Sequence, residues 1–350
     1  MKNDKIIVGI TQGDINSISY EVIIKSLMDN RFFDNCIPVV YGSAKVAAYH
    51  RKALNIDNFS FNNIRNADEA NPKRANIINC IDENIRVELG KPTDIAGEAA
   101  IAALEMATDD LINGKIDVLV TGPINKQTAQ SDKFKFPGHT EYLQEKFRAD
   151  DVLMLLINDY FKIGVVTGHV PINEVSKSLS KESIISKIEV LNQSLITDFR
   201  VRKPRIAVLG LNPHASDNGL IGSEEAEIII PAIEEVREKN ILAFGPFPAD
   251  GFFGAASYMK FDAVLGMYHD QGLIPFKSMS HDGGVNYTAG MDFVRTSPSH
   301  GTAFELAGQD EASADSFRKA IYAAIDIFRA RKGFDEITSD PLKSYDISEL

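Results

Sequence analysis

The sequence predicts an α/β protein, on three observations. Short apolar, β-branched runs alternate along the chain with segments of helical period. The apolar runs are almost continuous, as in a sheet that helices cover on both faces. The segments between them have helical length, and the last one places Phe317, Ile321, Ala324 and Ile325 on one face.

The predicted elements follow one another without an internal repeat or a low-complexity linker. The strand-like runs are 5–10, 37–42, 75–80, 115–121, 205–210 and 262–267. Helices are predicted over 18–29, 43–54, 94–113, 139–148, 182–199, 223–238 and 316–332. A length of 350 residues corresponds to about two domains. Without a linker, two lobes would have to be joined by the sheet itself.

Composition and charge exclude several classes of protein. Hydrophobic residues make up 44% and charged residues 25%, which is typical of a folded globular chain. A net charge of −12 without a basic run disfavours nucleic acid as a partner. Apolar runs such as 152–158 are far shorter than the roughly 20 residues that cross a bilayer, and the N-terminus has no apolar signal segment. We therefore expect a cytoplasmic protein with no membrane partner.

Three of the seven histidines share one setting. His169, His214 and His269 each follow an apolar strand-like run by one to four residues, in loops rich in turn-forming residues. Because ligands bind at the carboxyl edge of open α/β sheets, we expect these imidazoles to converge there. Cys36 and Cys80 form no C-x-x-C, so a metal would need ligands other than thiolates. The trio is a candidate site for a divalent metal, and the alternative is three ordinary loop histidines.

Two aspartates are the carboxylates nearest to this edge. Asp270 directly follows His269, and Asp250 lies in the GPFPADG turn. Either carboxylate could orient a metal-binding histidine or take up a proton. Aspartate is also common in turns for local hydrogen-bond reasons, so turn capping is the alternative for both.

Polar and basic residues mark a second candidate site, for a small anion. His139 and Thr140 stand at the N-terminal edge of a predicted helix, where backbone N–H groups attract anions. Lys277, Asn286 and Arg295 add two cations and an amide further along the chain. Arg295 lies in the strand-like FVRTS run, so it is either exposed at the surface or paired with an anion. The residues alone point to a metal-dependent enzyme that acts on a small anion.

Three common motifs are missing from the chain. GDINSIS at 13–19 lacks the second and third glycines of G-x-G-x-x-G, so a Rossmann nucleotide site is not supported. Neither G-x-x-x-x-G-K-[ST] nor G-x-S-x-G occurs. These absences disfavour a P-loop nucleotide-binding protein and a serine hydrolase.

Nine motifs follow one another along the chain: ITQGD, VTGPINK, FPGHTEYL, VTGHVPI, GLNPHA, GPFPAD, MYHDQGLIPFK, GVNYTAG and FVRTSPSHGTAFELAG. Taken in this order, they resemble the motifs of the 4-hydroxythreonine-4-phosphate dehydrogenase family of pyridoxal phosphate biosynthesis. They extend from about Ile6 to the helix near Phe317. The segment 13–21 departs from the family's usual GDPAGIGPE, because its glycines and prolines are largely replaced.

The resemblance implies a fold like that of isocitrate and isopropylmalate dehydrogenases, with two α/β lobes and an active site in the cleft at a homodimer interface. We place the first lobe at 1–130 plus 300–350 and the second at 131–299. The implied metal ligands are His169, His214 and His269, one of them supplied by the partner subunit. The implied substrate contacts are His139, Thr140, Lys277, Asn286 and Arg295, and the candidate catalytic residues are Asp250 and Lys277.

The implied reaction uses NAD and one divalent metal ion per site, with Zn, Mg and Co as candidates. The hydroxyl of 4-phosphooxy-L-threonine is oxidised, and loss of CO₂ then gives 3-amino-2-oxopropyl phosphate. The alternatives are a sister dehydrogenase for threonate or erythronate 4-phosphate, a metal-dependent hydrolase of a small phosphorylated metabolite, and a non-catalytic metabolite-binding protein. The motifs assign neither the NAD contacts nor the general base.

Overall fold

The computed structural model describes residues 5–82, 84–131, 134–280 and 283–340, and its twelve strands form one continuous sheet. Along the sheet their order is β3-β4-β2-β1-β5-β12-β11-β6-β7-β10-β8-β9. The strands are β1 (Ile6–Thr11), β2 (Cys36–Gly42), β3 (Asn62–Ile64), β4 (Asn76–Asn79), β5 (Val118–Thr121), β6 (Leu153–Ile157), β7 (Lys162–Thr167), β8 (Arg205–Leu209), β9 (Leu242–Phe247), β10 (Ala263–Tyr268), β11 (Val285–Ala289) and β12 (Val294–Pro298).

The sheet consists of two parallel blocks that run in opposite directions. The strands from β3 to β12 in the sheet order are parallel to one another, and so are β7, β10, β8 and β9. Between the blocks, β11 is antiparallel to both β12 and β6, and β6 is antiparallel to β7. The predicted α/β class is confirmed, but the sequence does not predict this antiparallel centre.

The seven predicted helices are present, and five shorter or unpredicted ones join them. The helices are α1 (Ser19–Leu27), α2 (Phe32–Asn35), α3 (Ala44–Ala53), α4 (Asp94–Ile112), α5 (Lys126–Ala129), α6 (His139–Phe147), α7 (Val175–Ser178), α8 (Lys181–Thr197), α9 (Ile230–Glu238), α10 (Ala249–Gly254), α11 (His269–Met279) and α12 (Asp315–Thr338). A π-helical turn, Glu225–Ile229, precedes α9 within the predicted segment. Of the helices that the sequence misses, α11 is the longest.

Side-chain caps lie at the start of several of the predicted helices. Ser43 accepts a hydrogen bond from Val46 N at the start of α3. Ser180 and Ser183 form a reciprocal capping box at the start of α8. Such caps satisfy backbone donors that have no partner inside the helix.

The core lies on both sides of the sheet. Every residue of β2 is buried, and β1 is buried except for Ile7. Helix α12 packs against β12, β5 and β11 at the sheet's centre. The division of the chain into lobes 1–130 plus 300–350 and 131–299 stays a prediction. Among the described residues, the structure contains no helix long and apolar enough to cross a membrane.

Segment 13–21, which departs from the family pattern, is buried and holds a neighbouring loop in place. The Asn16 side chain accepts from Glu88 N (2.7 Å) and donates to Lys91 O (2.9 Å) and Thr93 Oγ1 (3.0 Å). Gly13 keeps a φ of +66°, a conformation that strains residues with a side chain. Asn16 thus joins this segment to the loop that contains Glu88, Lys91 and Thr93.

The carboxyl group of Asp14 in this segment is fully buried. Its Oδ1 accepts from Asn16 N (2.8 Å), whereas Oδ2 has no hydrogen-bond partner among the described residues. Burial raises the pKa of this carboxyl to about 6. Because the folded pKa lies above the unfolded value, the protonated form stabilises the fold at low pH, and this stabilisation is lost as pH rises through 6.

We predict that Asp14→Asn raises the free energy of unfolding at pH 8 by up to about 3 kcal/mol and by much less at pH 4. The amide removes the buried charge and keeps the acceptor for Asn16 N. Thermal melting of the two proteins at both pH values measures the difference, with the exposed Asp34→Asn as control. A gain of equal size at both pH values would contradict this origin of the effect.

Candidate active site

A cavity of about 260 Å³ opens over one face of the sheet's central strands. Its floor consists of Met154 and Leu156 from β6, Asn286 from β11, and Arg295 and Ser297 from β12. Residues two apart in a strand point to the same face, so each of the outer strands contributes two side chains. The antiparallel centre of the sheet thus forms the base of the site.

The walls come from both parallel blocks. One wall is the end of β5 and the loop after it, residues 121–124 with Lys126, together with the first turn of α6 at 138–141. The rest of the wall contains His169, α11 and the segment 299–301 that follows β12. The structure therefore brings together seven of the residues predicted from sequence: His139, Thr140, His169, His269, Lys277, Asn286 and Arg295.

Arg295 is buried in the floor without a carboxylate partner among the described residues. Its side chain is 3% exposed and donates to Thr121 Oγ1 (2.6 and 3.1 Å) and Thr288 Oγ1 (3.3 Å). Burial lowers the pKa of the guanidinium to about 10, so it remains charged at neutral pH, and the charge of Glu141 opposes this shift. Of the two alternatives for Arg295, surface exposure is wrong. A buried cation of this kind attracts an anion into the cavity.

His139 begins α6, with the extended Gly138 as the N-terminal cap residue. Burial, together with the nearby charges of Arg295 and Lys126, holds the pKa of His139 well below its ordinary value. Its Nε2 atom is buried and has no hydrogen-bond partner among the residues that the structure describes. A neutral imidazole with an unused ring nitrogen therefore lies beside the Arg295 charge.

His169 and His269 form an imidazole pair at the cavity wall, with ring centroids 5.7 Å apart. They follow β7 and β10, which are parallel neighbours, so their carboxyl ends meet at one edge as predicted. His269 is the first residue of α11, whereas the sequence places it in a loop. The predicted convergence holds for these two residues.

The hydrogen bonds of the pair leave one nitrogen of each ring as an acceptor. Lys126 Nζ donates to His169 Nε2 (3.1 Å), and the Lys126 charge adds to burial in lowering the pKa of His169. His269 Nδ1 lies 2.7 Å from Asp270 Oδ1, so Nδ1 is the donor to this carboxylate and Nε2 is the nitrogen left for a metal. Asp270 thus orients the His269 ring, one of the two roles that the sequence allowed it.

The spacing of the two rings fits a divalent metal ion, which would take the His169 Nε2 lone pair that Lys126 Nζ occupies here. Metal–nitrogen bonds of about 2.0–2.1 Å place the centroids of two bound imidazoles roughly 5–6 Å apart, which matches the spacing of His169 and His269. Metal binding requires neutral imidazoles, and the depressed pKa of His169 favours that form. Within the described part of the single chain, however, no group of three histidine, cysteine or acidic residues is placed to hold a metal.

His214 and Asp250 do not line the cavity. His214 is exposed in the 3₁₀ turn Pro213–Asp217, where the residues from His214 to Asn218 all have positive φ. Such a run of left-handed residues is costly for side chains other than glycine. Asp250 is exposed in the first turn of α10. The single chain therefore separates these two residues from the other predicted site residues.

Sequence reasoning missed three residues of the site. Lys126, Glu141 and His300 line the cavity but were not assigned a role from the sequence. The signal was present, since they stand in the motifs TGPINK, PGHTEYL and SPSHGTA. The sequence did not predict the antiparallel centre of the sheet, which brings the segment after β12 next to α11.

The fold and cavity are those of an α/β enzyme for a small anionic substrate. The model of the family described as "Pyridoxal phosphate biosynthetic protein PdxA" matches residues 34–324. The chain belongs to this family, which confirms the resemblance seen in the motifs.

Relatives agree over nearly the whole chain. It is 51% identical over 345 residues to a 4-hydroxythreonine-4-phosphate dehydrogenase from Bacteroides thetaiotaomicron, which covers 98% of this chain and 94% of the relative. A protein of the same name from Sulfurihydrogenibium sp. is 38% identical over 325 residues, 92% of this chain and 98% of the relative. The crystal structure of the Klebsiella pneumoniae enzyme of that name superimposes with a TM-score of 0.82 at 32% identity, covering 94% of this chain and 99% of that one.

We predict that Arg295→Met abolishes a stabilising effect of inorganic phosphate. Phosphate bound beside Arg295 at about ten times its Kd should raise the Tm of the wild-type protein by roughly 2–4 °C. The variant lacks the buried cation and should show no such shift. Thermal melting with and without phosphate measures this, with exposed Arg202→Met as the matched control. A phosphate shift that persists in Arg295→Met would place the anion site elsewhere.

Proposed function

We propose that this chain catalyses the NAD-dependent oxidation of 4-hydroxythreonine 4-phosphate and its decarboxylation to 3-amino-2-oxopropyl phosphate. One observation carries the proposal: a single cavity joins buried and exposed cations to an imidazole pair that fits a metal ion. An anionic substrate can therefore be held with its hydroxyl beside the imidazoles. The names of the relatives support a dehydrogenase over a hydrolase or a binding protein.

The reaction balances as an oxidation followed by a loss of CO₂. The hydroxyl-bearing carbon loses hydride and its hydroxyl loses a proton, which gives a β-keto acid. When bound, NAD accepts the hydride and a divalent metal lowers the pKa of the hydroxyl and stabilises the enolate. The carbon–carboxylate bond then breaks, and the resulting carbanion equivalent is protonated. NAD contacts stay unassigned.

The residues of the chain bind and orient the substrate in this proposal. Arg295 and Lys277 neutralise its phosphate and carboxylate, and the Thr140 hydroxyl donates to the same anion. His169 and His269 would hold a metal ion, and Asp270 keeps the His269 ring in place. Lys277 lines the cavity, so it stays a candidate for moving a proton.

We also propose that His214 completes the metal site of a second copy of this chain. A second cavity of about 220 Å³ lies on the other side of the imidazole pair, and it is lined by the exposed residues Val170 and Ile172. The turn that carries His214 exposes Leu220 nearby in sequence, which is an apolar side chain without cover. Insertion of this turn into the partner's second cavity would bury apolar surface and supply the third imidazole.

The first test follows NADH at 340 nm with 4-phosphooxy-L-threonine. We expect activity to vanish when the protein is stripped with a chelator and to return with Zn, Mg or Co. D-Threonate 4-phosphate is the competing substrate, because a 36% identical relative from Oceanobacillus iheyensis is named provisionally as a dehydrogenase for it. Turnover of threonate phosphate alone would move the chain to that sister specificity. No NADH from any of these substrates would refute the proposal.

The second test is complementation between inactive variants. If His214 serves the partner's site, mixing His214→Ala with His169→Ala should restore about a quarter of wild-type activity, because half of the dimers then hold one intact site. The matched control mixes His169→Ala with His269→Ala, which lie in the same chain's pair and should not complement. Recovery in the control, or none in verified mixed dimers of the first pair, would count against this shared site.

A further inference from the structure

His300 lies in the cavity wall and has no role in the reaction as proposed so far. It follows β12 in the SPSHGTA motif, and its ring is partly buried. Its Nδ1 atom lies 3.0 Å from the carbonyl oxygen of Gly301. Its Nε2 atom is buried and has no hydrogen-bond partner among the described residues. One ring nitrogen is thus fixed by the backbone, and the other is unused.

The bond to Gly301 determines which ring nitrogen carries the hydrogen. A carbonyl oxygen can only accept, so Nδ1 must be the donor, and Nε2 then has a lone pair. Burial lowers the pKa of His300, which favours this neutral form. His300 therefore presents a hydrogen-bond acceptor that lacks a donor.

A second unused acceptor belongs to the same cavity. Asn286 Oδ1, in the cavity floor, is also buried and without a hydrogen-bond partner among the described residues. Buried polar atoms without a partner destabilise a fold, so these two acceptors, together with the unpaired His139 Nε2 of the same cavity, indicate a ligand that forms hydrogen bonds with them. Arg295 and Lys277 carry only hydrogen-bond donors, so they cannot bind the donor groups of such a ligand.

The groups of the proposed substrate can be matched to the cavity one by one. Its phosphate and carboxylate accept hydrogen bonds and suit Arg295 and Lys277. Its hydroxyl is assigned to the imidazole pair. The remaining group is the ammonium, which is a charged donor with three hydrogens. The unused acceptors suit this group and none of the anionic ones.

We infer that His300 Nε2, together with Asn286 Oδ1, accepts hydrogen bonds from the ammonium group of the substrate and makes the cavity selective for an amino-acid phosphate. The inference rests on the proposed function and adds to it a residue that determines specificity. A charge-assisted hydrogen bond is about twice as strong as a neutral one. His300 should therefore favour the ammonium over a hydroxyl or a hydrogen at the same carbon.

The experiment compares 4-phosphooxy-L-threonine with its deamino analogue, 3-hydroxy-4-phosphooxybutanoate, which keeps the hydroxyl, carboxylate and phosphate. We expect His300→Leu to lower kcat/KM for the amino substrate by about 10–100-fold and for the analogue by less than about threefold. His300→Gln, which keeps an acceptor oxygen, should recover part of the loss on the amino substrate. Titration calorimetry of both ligands without NAD gives the same comparison for binding alone.

The outcomes separate this inference from the function on which it rests. Equal losses on both substrates would show a merely structural role for His300, and no loss on either would show that the ammonium is bound elsewhere. Both results would overturn the inference and leave the proposed function standing. Failure of the wild-type protein to reduce NAD with the amino substrate would overturn the function and the inference with it.

Discussion

The pairing of β11 with β12 and β6 is the constraint on which the arrangement of the molecule depends. Two parallel blocks of opposite direction cannot share an edge as parallel strands, so a reversal of direction must lie between them. Three successive antiparallel pairings, β12–β11, β11–β6 and β6–β7, provide that reversal at the centre of the sheet. Because alternate residues of a strand share a face, the β11–β12 hairpin also determines that Asn286, Arg295 and Ser297 form the cavity floor. The topology thus places polar side chains where a sheet would normally bury apolar ones.

The polar lining of this cavity lowers the stability of the chain while no ligand is bound. Arg295 is charged and buried among threonine hydroxyls, and His139, Asn286 and His300 each keep a buried atom without a partner among the described residues. Each of these features destabilises the fold while the cavity is without a ligand. A ligand that carries both anionic groups and a donor relieves all of them at once. Their shared position in one cavity is therefore better explained by ligand binding than by folding.

The sequence predicted the α/β class and the seven main helices, because their periods and caps are local signals. Seven of the predicted site residues line one cavity, although the residue patterns assigned them to two sites and only the family resemblance joined the two. The sequence missed the antiparallel centre although FVRTS is a strand-like run and β6 is apolar, because no local pattern reports the direction in which a strand pairs. It missed α11 because Gly272 and Pro275 are poor helix formers. Tertiary packing decides both elements, and no local pattern reports it.

The separation of His214 from the imidazole pair follows from local geometry. His269 lies at the helix start directly after β10, whereas His214 stands five residues past β8 on a left-handed, exposed turn. Left-handed residues other than glycine persist only where surrounding contacts offset their strain. In the dimer that we propose, contacts with the second chain would offset part of this strain, and His214 would add a third imidazole to the pair that one chain provides.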